Sequence, residues 1–398
     1  MIDIRAARND PERFRAALAR RGAGEAFDEV IAADALWREL VPRVDELRGQ
    51  QKLQGKPTPE QLEELKARKI RLNELEAALA AAEKERDEAL AKVPNPPHES
   101  AADGMTEDDS VEITRWGEPP QLADAKEHTE IGRFDMERGA KVSGSRFGFI
   151  LGDTALVALA LYRYALDRLA REGFTTVIPP VLVREDAMYG TGFFPSDKSD
   201  YYEIPADSLY LVGTSEVPLI AMHMDEILET LPLHYCAFSS CFRRESGAAG
   251  RDTRGMFRVH QFQKVEMVVY TEPGKSWDEH ERMLAIEESL VQELDIPYRV
   301  VNTAAGDLST AAAKRYDIEG WFPSQDRYRE LTSCSNTTDY QARRSRIRYR
   351  AGEKSLETPH TLNGTAATDR WVLALLENFQ GDVPEALQRF GAPARVAK

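Results

Sequence analysis

Apolar residues recur along this chain in two distinct periods, and each period predicts a different kind of element. Over the first ninety or so residues the steps alternate between three and four. Val30, Ala33, Trp37, Leu40, Val44 and Leu47 form one such run, and Leu65, Leu72, Leu75, Leu79, Ala82 and Ala89 form a second, ending near Val93. Lys56-Pro57-Thr58-Pro59 interrupts them, so the pattern predicts two long amphipathic helices joined as an antiparallel coiled-coil hairpin. The second helix, of about 34 residues, would extend roughly 50 Å. A seam this narrow packs mainly on its partner helix, which predicts an arm projecting into solvent. Ahead of it, Asn9-Asp10-Pro11-Glu12 signals a helix start and Gly22 its end. Pro42 falls inside the first long helix, where loss of a hydrogen bond predicts a kink.

Beyond the arm the pattern changes. Val93-Pro-Asn-Pro-Pro-His-Glu-Ser and the acidic residues through Asp109 read as a linker. The predicted organisation is an arm over 1–95, a linker over 96–112 and a larger domain over 113–398. Asp153 can cap a helix from Thr154 to Arg171 that is apolar nearly all round, which predicts deep burial. Phe174 to Ile178 reads as a strand stopped by Pro179-Pro180. Trp277 to Glu293 is an amphipathic helix, Tyr298 to Asn302 a strand, and Asn363 to Asn378 a turn feeding a buried helix.

A period of two appears at 259–266, where Val259, Gln261, Gln263 and Val265 alternate with His260, Phe262, Lys264 and Glu266. Tyr235 to Phe242 supplies a matching strand. Between the two lie Gly247, Gly250 and Gly255, interleaved with Arg251, Arg254 and Arg258. The stretch predicts a long hairpin with a mobile cationic loop and with Arg243, Glu245, Phe262 and Glu266 near its base. An arginine there offers a planar fork to a phosphate, an aromatic ring a face to a base, and carboxylates acceptors to amino groups or Mg2+.

Charge and composition narrow the class of partner. The 398 residues are 42% hydrophobic and 30% charged, as expected of a soluble globular protein of two domains. A formal charge of −15 argues against general nucleic-acid affinity, so any polyanion must find a local basic patch. Such a patch exists at the arm's far end, where Arg43 to Asn73 carries eight basic and five acidic residues. Cys236, Cys241 and Cys334 make no disulfide framework, and their spacing fits no common zinc site. No export segment and no membrane span is expected, which places the protein in the cytoplasm. Neither a dinucleotide fingerprint nor a Gly-x4-Gly-Lys-Ser/Thr loop is present.

Phe-Arg-x-Glu at 242–245, Gly-Arg-Asp-Thr-Arg-Gly at 250–255 and Arg-Val-His-Gln-Phe-x-Lys-Val-Glu at 258–266 together resemble the second signature motif of class II aminoacyl-tRNA synthetases, in the variant of the seryl-tRNA synthetase family. The helix, strand and proline over 154–180 resemble the first motif, which builds a dimer interface. Asn363 to Asn378 resembles the third. Lys126-Glu127-His128 and 140–148 resemble the entry to the catalytic domain, and the N-terminal hairpin resembles the family's tRNA-binding arm. Three features depart from the family pattern: an arm about one or two turns shorter per helix, threonine at 337 where cysteine is expected, and Asp369 beside Arg370 where a neutral residue is usual.

The resemblance implies an α+β protein: an antiparallel-sheet catalytic domain behind a two-helix coiled-coil arm. The implied reaction is ATP-dependent activation of L-serine to seryl-adenylate and transfer to tRNA(Ser), with tRNA(Sec) as a further acceptor, by a homodimer that uses Mg2+ and no zinc. Neither DNA nor a membrane is an expected partner. Arg243 and Arg370 are the implied catalytic residues, on the α-phosphate and the γ-phosphate side. ATP would further meet Arg244, Glu245, Val259, Phe262, Glu330, Leu331, Thr332 and Ser333, with Glu330 and Ser333 also holding Mg2+. Serine would meet Thr214, Ser215, Glu216, Arg243, Glu266, Asn363 and Thr365; an extended Thr214-Ser215-Glu216 would place its outer two side chains on one side. Three alternatives stand beside this reading: a duplicate synthetase used in antibiotic biosynthesis or self-resistance, a ligase loading a carrier protein, and a coiled-coil binding protein whose catalytic domain is dead.

Overall fold

Two short helices, α1 (Ile4–Asn9) and α2 (Pro11–Ala19), meet at Asp10, whose side chain accepts from the Arg13 amide while Pro11 fills the first helical position. They lead into α3 (Gly24–Gly49) and α4 (Pro59–Lys92), the two long helices that the three-four spacing predicts. Thr58 and Gln61 form a reciprocal capping box that starts α4 just past the proline break. Val30, Ala33, Leu40 and Val44 of α3 and Leu72, Ala82 and Leu90 of α4 are buried along the seam. The helix α3 runs through Pro42. The computed structural model describes residues 1–50, 58–246, 255–352 and 355–397, and its chain divides into two units, Met1–Pro96 and Pro97–Lys398. The cationic loop at 247–254 lies outside the described residues.

The second unit is built on an eight-stranded sheet. Its strands are β1 (Val111–Trp116), β2 (Thr175–Val177), β3 (Leu233–Phe242), β4 (Gln261–Thr271), β5 (Tyr298–Asn302), β6 (Lys314–Phe322), β7 (Arg327–Asn336) and β8 (His360–Thr368), in the spatial order β1-β5-β6-β7-β8-β4-β3-β2. Every pairing is antiparallel except β2 with β3. The hairpin β3–β4 is the predicted one, with Phe242 opposite Gln261 and Tyr235 opposite Val268. Beyond the paired residues, the Arg243 amide donates to the His260 carbonyl at 3.0 Å, which extends the ladder by one rung.

Three helices pack on this sheet: α5 (Gly152–Arg171), α6 (Ser276–Glu293) and α7 (Asp369–Phe379). Asn363 to Thr368 differs from the expected turn. It belongs to strand β8, which lies between β7 and β4 and runs directly into α7. Gly364 is required there, because a Cβ would lie 2.5 Å from Glu287 Oε1 on α6. The helix α5 also differs from its expected burial on all sides. Val157, Leu161, Tyr164 and Leu169 enter the core, but Leu156 and Leu159 face outward because only one face of the helix meets the sheet. Ile178, just past edge strand β2, is 91% exposed.

Residues 97–110, read from sequence as part of a linker, are bonded into the second unit. His98 N donates to the Ala313 carbonyl at 2.8 Å, Ala305 N to the Ala102 carbonyl at 2.8 Å, and the Asn302 side chain to the Ser100 carbonyl at 2.8 Å. No helix among the described residues is long and apolar enough to cross a membrane.

Candidate active site

One face of the central strands, β6, β7, β8 and β4, carries the chemistry. Along β4 the period of two puts Phe262, Lys264 and Glu266 on that face. Two bulges then rearrange its neighbours. Pairing of β7 with β6 shifts by one at Leu331, so Glu330 stands opposite Glu319 and Ser333 opposite Asp317. Glu319 and Asp317 share a face of β6, and the extra residue therefore brings Glu330 and Ser333 to the same side. A second shift, at Ala366 of β8, sets Thr365 opposite Glu266 and Thr368 opposite Lys264.

Two adjoining cavities occupy this face. The smaller, of about 100 Å³, is lined by Glu245, Val259, Phe262 and Asp369 among others. The larger, of about 380 Å³, is lined by Thr214, Glu216, Glu266 and Asn363 among others. Glu245, Arg243, Arg258, Lys264, Glu330, Ser333 and Arg370 border both. The Arg243 guanidinium lies 5.3 Å from the Phe262 ring and donates to the Gly213 carbonyl at 3.2 Å. Arg370 pairs with Glu330 at 3.1 Å and lies over the Phe257 ring at 4.8 Å. Arg258 bonds Glu245, whose backbone takes a φ of 52°. Burial raises the Glu330 carboxyl, but Arg370, Arg315 and Arg243 outweigh it and hold the group below the usual carboxylate range.

At the far end of the larger cavity the groups are more deeply enclosed. Lys264 pairs with Glu266 at 2.7 Å, and the Thr365 hydroxyl donates to the same carboxylate at 3.1 Å. Glu216 is buried and its carboxyl is pushed up to about 7, by burial first and by Glu266 second. Thr214-Ser215-Glu216 is not extended. Glu216 opens a short helix (Glu216–Ala221), and its amide bonds the Thr214 hydroxyl at 3.2 Å. Thr214 and Glu216 reach one cavity through this turn rather than through strand alternation.

Four other residues expected at the site have side chains outside both cavities. Arg244 lies over the Tyr202 ring, 5.5 Å from its centroid. Ser215 is fully buried. Leu331 is in the hydrophobic core, and the Thr332 hydroxyl donates to the Thr365 carbonyl. Several cavity residues went unpredicted. Lys264 shares the two-residue register of Phe262 and Glu266, a signal the sequence carried. Arg258 opens the Arg-Val-His-Gln-Phe-x-Lys-Val-Glu run that also holds Phe262 and Glu266. Phe257 and Arg315 carried no comparable signal.

Asp369 has a definite place. Its carboxylate accepts from the Tyr162 hydroxyl of α5 and, at 2.9 Å, from the Gln263 amide of β4, while the neighbouring Arg370 is engaged by Glu330 instead. The carboxyl is pushed up to about 6 because burial outweighs these two bonds.

Antiparallel strands bearing an arginine at the hairpin base, an aromatic ring beside it and a second arginine at the start of the following buried helix define a class II tRNA synthetase core. A family profile for that core, of the glycine, histidine, proline, serine and threonine group, matches residues 201–379, and one for the seryl-tRNA synthetase N-terminal domain matches residues 1–97. The serine–tRNA ligase of Thermobifida fusca is 47% identical, over 98% of this chain and 97% of that protein. That of Nocardia farcinica is 46% identical, over 96% and 94%. Among solved structures, the seryl-tRNA synthetase of Pyrococcus horikoshii complexed with ATP superposes with a TM-score of 0.92 at 39% identity, covering 100% of both chains. The cytoplasmic serine–tRNA ligase of Naegleria fowleri in complex with AMP gives 0.87 at 35% identity, covering 97% and 95%. The chain belongs to the seryl-tRNA synthetase family.

The pKa of Asp369 has a consequence for stability. A carboxyl raised to about 6 in the fold binds its proton more tightly than in the unfolded chain, so stability falls as pH rises from the unfolded value toward 6 and then levels. At neutral pH the ionised form costs on the order of 2–3 kcal/mol. In Asp369→Asn the amide oxygen can accept from Gln263 and the NH2 can donate to Tyr162. The variant is expected to raise the thermal midpoint at pH 8 by several degrees and to change it little at pH 4.5, as scanning calorimetry would read.

Proposed function

We propose that this protein activates L-serine with ATP and transfers the seryl group to tRNA(Ser), with tRNA(Sec) as a further acceptor. The observation that carries the reading is a pair of adjoining cavities that share Arg243 and Arg370, the smaller bordered by the Phe262 ring and the larger by the Glu216 and Glu266 carboxylates. In-line attack of a carboxylate on the α-phosphorus needs no protein nucleophile. It needs positioning and positive charge where phosphorus becomes five-coordinate.

Arg243 borders both cavities, which suits a group touching both serine's carboxylate and the α-phosphate. Arg370 is assigned to the γ-phosphate side, Phe262 to the adenine face, and Glu245 with the Val259 backbone to adenine's polar edge. Leu331 and Thr332 would contribute only backbone atoms. Glu330 and Ser333 offer a carboxylate and a hydroxyl on one face, a donor set that fits Mg2+, a hard cation that accepts one or two protein oxygens plus phosphate. When bound, the ion would neutralise charge on the polyphosphate. Thr214, Glu216, Glu266 and Asn363 line the serine end, while Thr365 borders the smaller cavity and reaches that end through its bond to Glu266. A buried carboxylate there disfavours alanine, which leaves that acceptor unpaired.

The arm is assigned to tRNA, and the cytoplasm is the matching compartment for three buried, unpaired cysteines. Of its basic side chains, Arg48 is committed to Glu76 at 2.8 Å, and Arg43, Lys66 and Arg68 to acidic neighbours on their own helices. Lys69 and Arg71 are exposed with no ion pair among the described residues, which makes them the freest cations for RNA phosphates; Lys52 lies outside the described residues. The outward Leu156, Leu159 and Ile178 fit a second copy of this chain as a homodimer partner, since a closed two-fold pair covers such surface on both subunits at once.

Three measurements test these assignments. ATP–pyrophosphate exchange across the twenty amino acids should respond to serine, and Arg243→Ala should lower that exchange by orders of magnitude in a folded protein, corresponding to roughly 3 kcal/mol or more. Near-normal exchange in the variant removes Arg243 from the chemistry. Deleting Val30 to Lys92 behind a short linker should leave exchange largely intact and nearly abolish charging of total tRNA at moderate salt; undiminished charging makes the arm structural. Sedimentation at micromolar concentration should give twice 44.7 kDa, and a mass of one chain refutes the dimer.

A further inference from the structure

Glu216 is gripped by one oxygen only. Its Oε1 accepts from Gln341 Nε2 at 2.6 Å and from Asn363 Nδ2 at 3.0 Å, whereas Oε2 has no hydrogen bond among the described residues. Gln341 lies 125 residues further along the chain, on a short helix (Tyr340–Arg344), and is itself fully buried. Its amide has a single workable orientation. Nε2 faces Glu216 and, at 3.0 Å, the Thr191 carbonyl, which can only accept. A flipped amide would set its oxygen against that carbonyl. On the other side Oε1 is reached by the hydroxyls of Thr361 at 2.8 Å and Thr337 at 3.1 Å, which also touch each other at 2.6 Å. Thr337 is the residue that replaces an expected cysteine; a hydroxyl there is a much better partner in this network than a thiol.

We propose that Gln341 is the positioning residue that fixes the orientation and the charge state of Glu216, and so sets the affinity for the α-ammonium group of the amino-acid substrate. This rests on the reading of Glu216 as a serine ligand. A cation is bound by the ionised carboxylate, and burial opposes that form. Beside Glu216 stand Glu266, which opposes ionisation, and Lys264 and Arg243, which favour it; the Gln341 N–H bond adds to the favouring side. With the carboxyl near pH 7, a lost donor changes its occupancy under working conditions. Gln341 and Asn363 thus share Oε1 and leave Oε2 for substrate.

The test is serine-dependent ATP–pyrophosphate exchange by the full chain between pH 6 and 9. Gln341→Met should raise KM for serine about tenfold or more, leave KM for ATP within about twofold, and move the acid limb of kcat/KM for serine upward by roughly half to one pH unit. Thr337→Val and Thr361→Val should shift the same limb in the same direction by less, and Thr337→Ser should match the parent protein. If Gln341→Met does not fold, as circular dichroism would show, the two valine variants carry the test. An unmoved acid limb with unchanged KM for serine in the folded variants overturns the proposal. Glu216→Gln, measured in parallel, separates the two levels. Normal serine affinity in that variant removes Glu216 from the site and this role with it, while lost affinity beside a normal Gln341→Met variant removes the role of Gln341 alone.

Discussion

In a regular strand successive side chains alternate between faces, so Glu330 and Ser333 would stand on opposite sides of β7. The inserted Leu331 removes that conflict, and Ala366 does the same for Thr365 and Thr368 on β8. Both bulges fall on strands that meet at the centre of the sheet, where ladder hydrogen bonds on either side hold the irregularity rigid. Small errors in this register would turn a carboxylate into the core and a leucine into the cavity. The placement of Glu330, Ser333, Thr365 and Thr368 on the site face therefore depends on two extra residues in two adjacent strands.

Charge burial is the cost of that arrangement, and the site meets it by pairing. Lys264 neutralises Glu266, and amide donors brace Glu216. Asp369 shows the same rule applied to a residue that looks disruptive in sequence. Its position beside Arg370 suggests competition for that guanidinium, yet the helix start turns it inward to Tyr162 and the Gln263 amide. The same carboxylate ties α5, the helix with the outward apolar face, to the strand that carries Phe262.

The elements that were legible in the sequence are those whose signal is local. The seam of the two arm helices, the alternation at 259–266 and the helix from Trp277 each follow from spacing alone. Burial of α5 was overestimated because an apolar helix reads the same whether its outer face meets the core or another chain. Strand β8 was missed as a strand because its Gly-Thr-Ala-Ala run has little alternation, and its stability comes from two flanking strands. At the site, Phe262 and Glu266 were visible by register, and Lys264 between them was equally visible. Gln341 had no sequence signal, since its partners Thr191, Glu216 and Thr361 are brought to it only by the fold.

Two arginines of the site raise a different matter, because neither the Arg370 nor the Arg258 guanidinium waits unoccupied. Carboxylates of Glu330 and Glu245 already pair with them. Under the proposed function, nucleotide entry is then a swap of anions at fixed cations rather than the neutralisation of bare charge. Each displaced carboxylate needs a new companion, and ATP brings two of the right kind: the exocyclic amine of adenine and the divalent ion that travels with its phosphates. A ligand offering phosphates without those companions, such as free pyrophosphate, would strand both carboxylates and be held less firmly. On that proposal, selectivity for a complete nucleotide is written into the site's internal pairing.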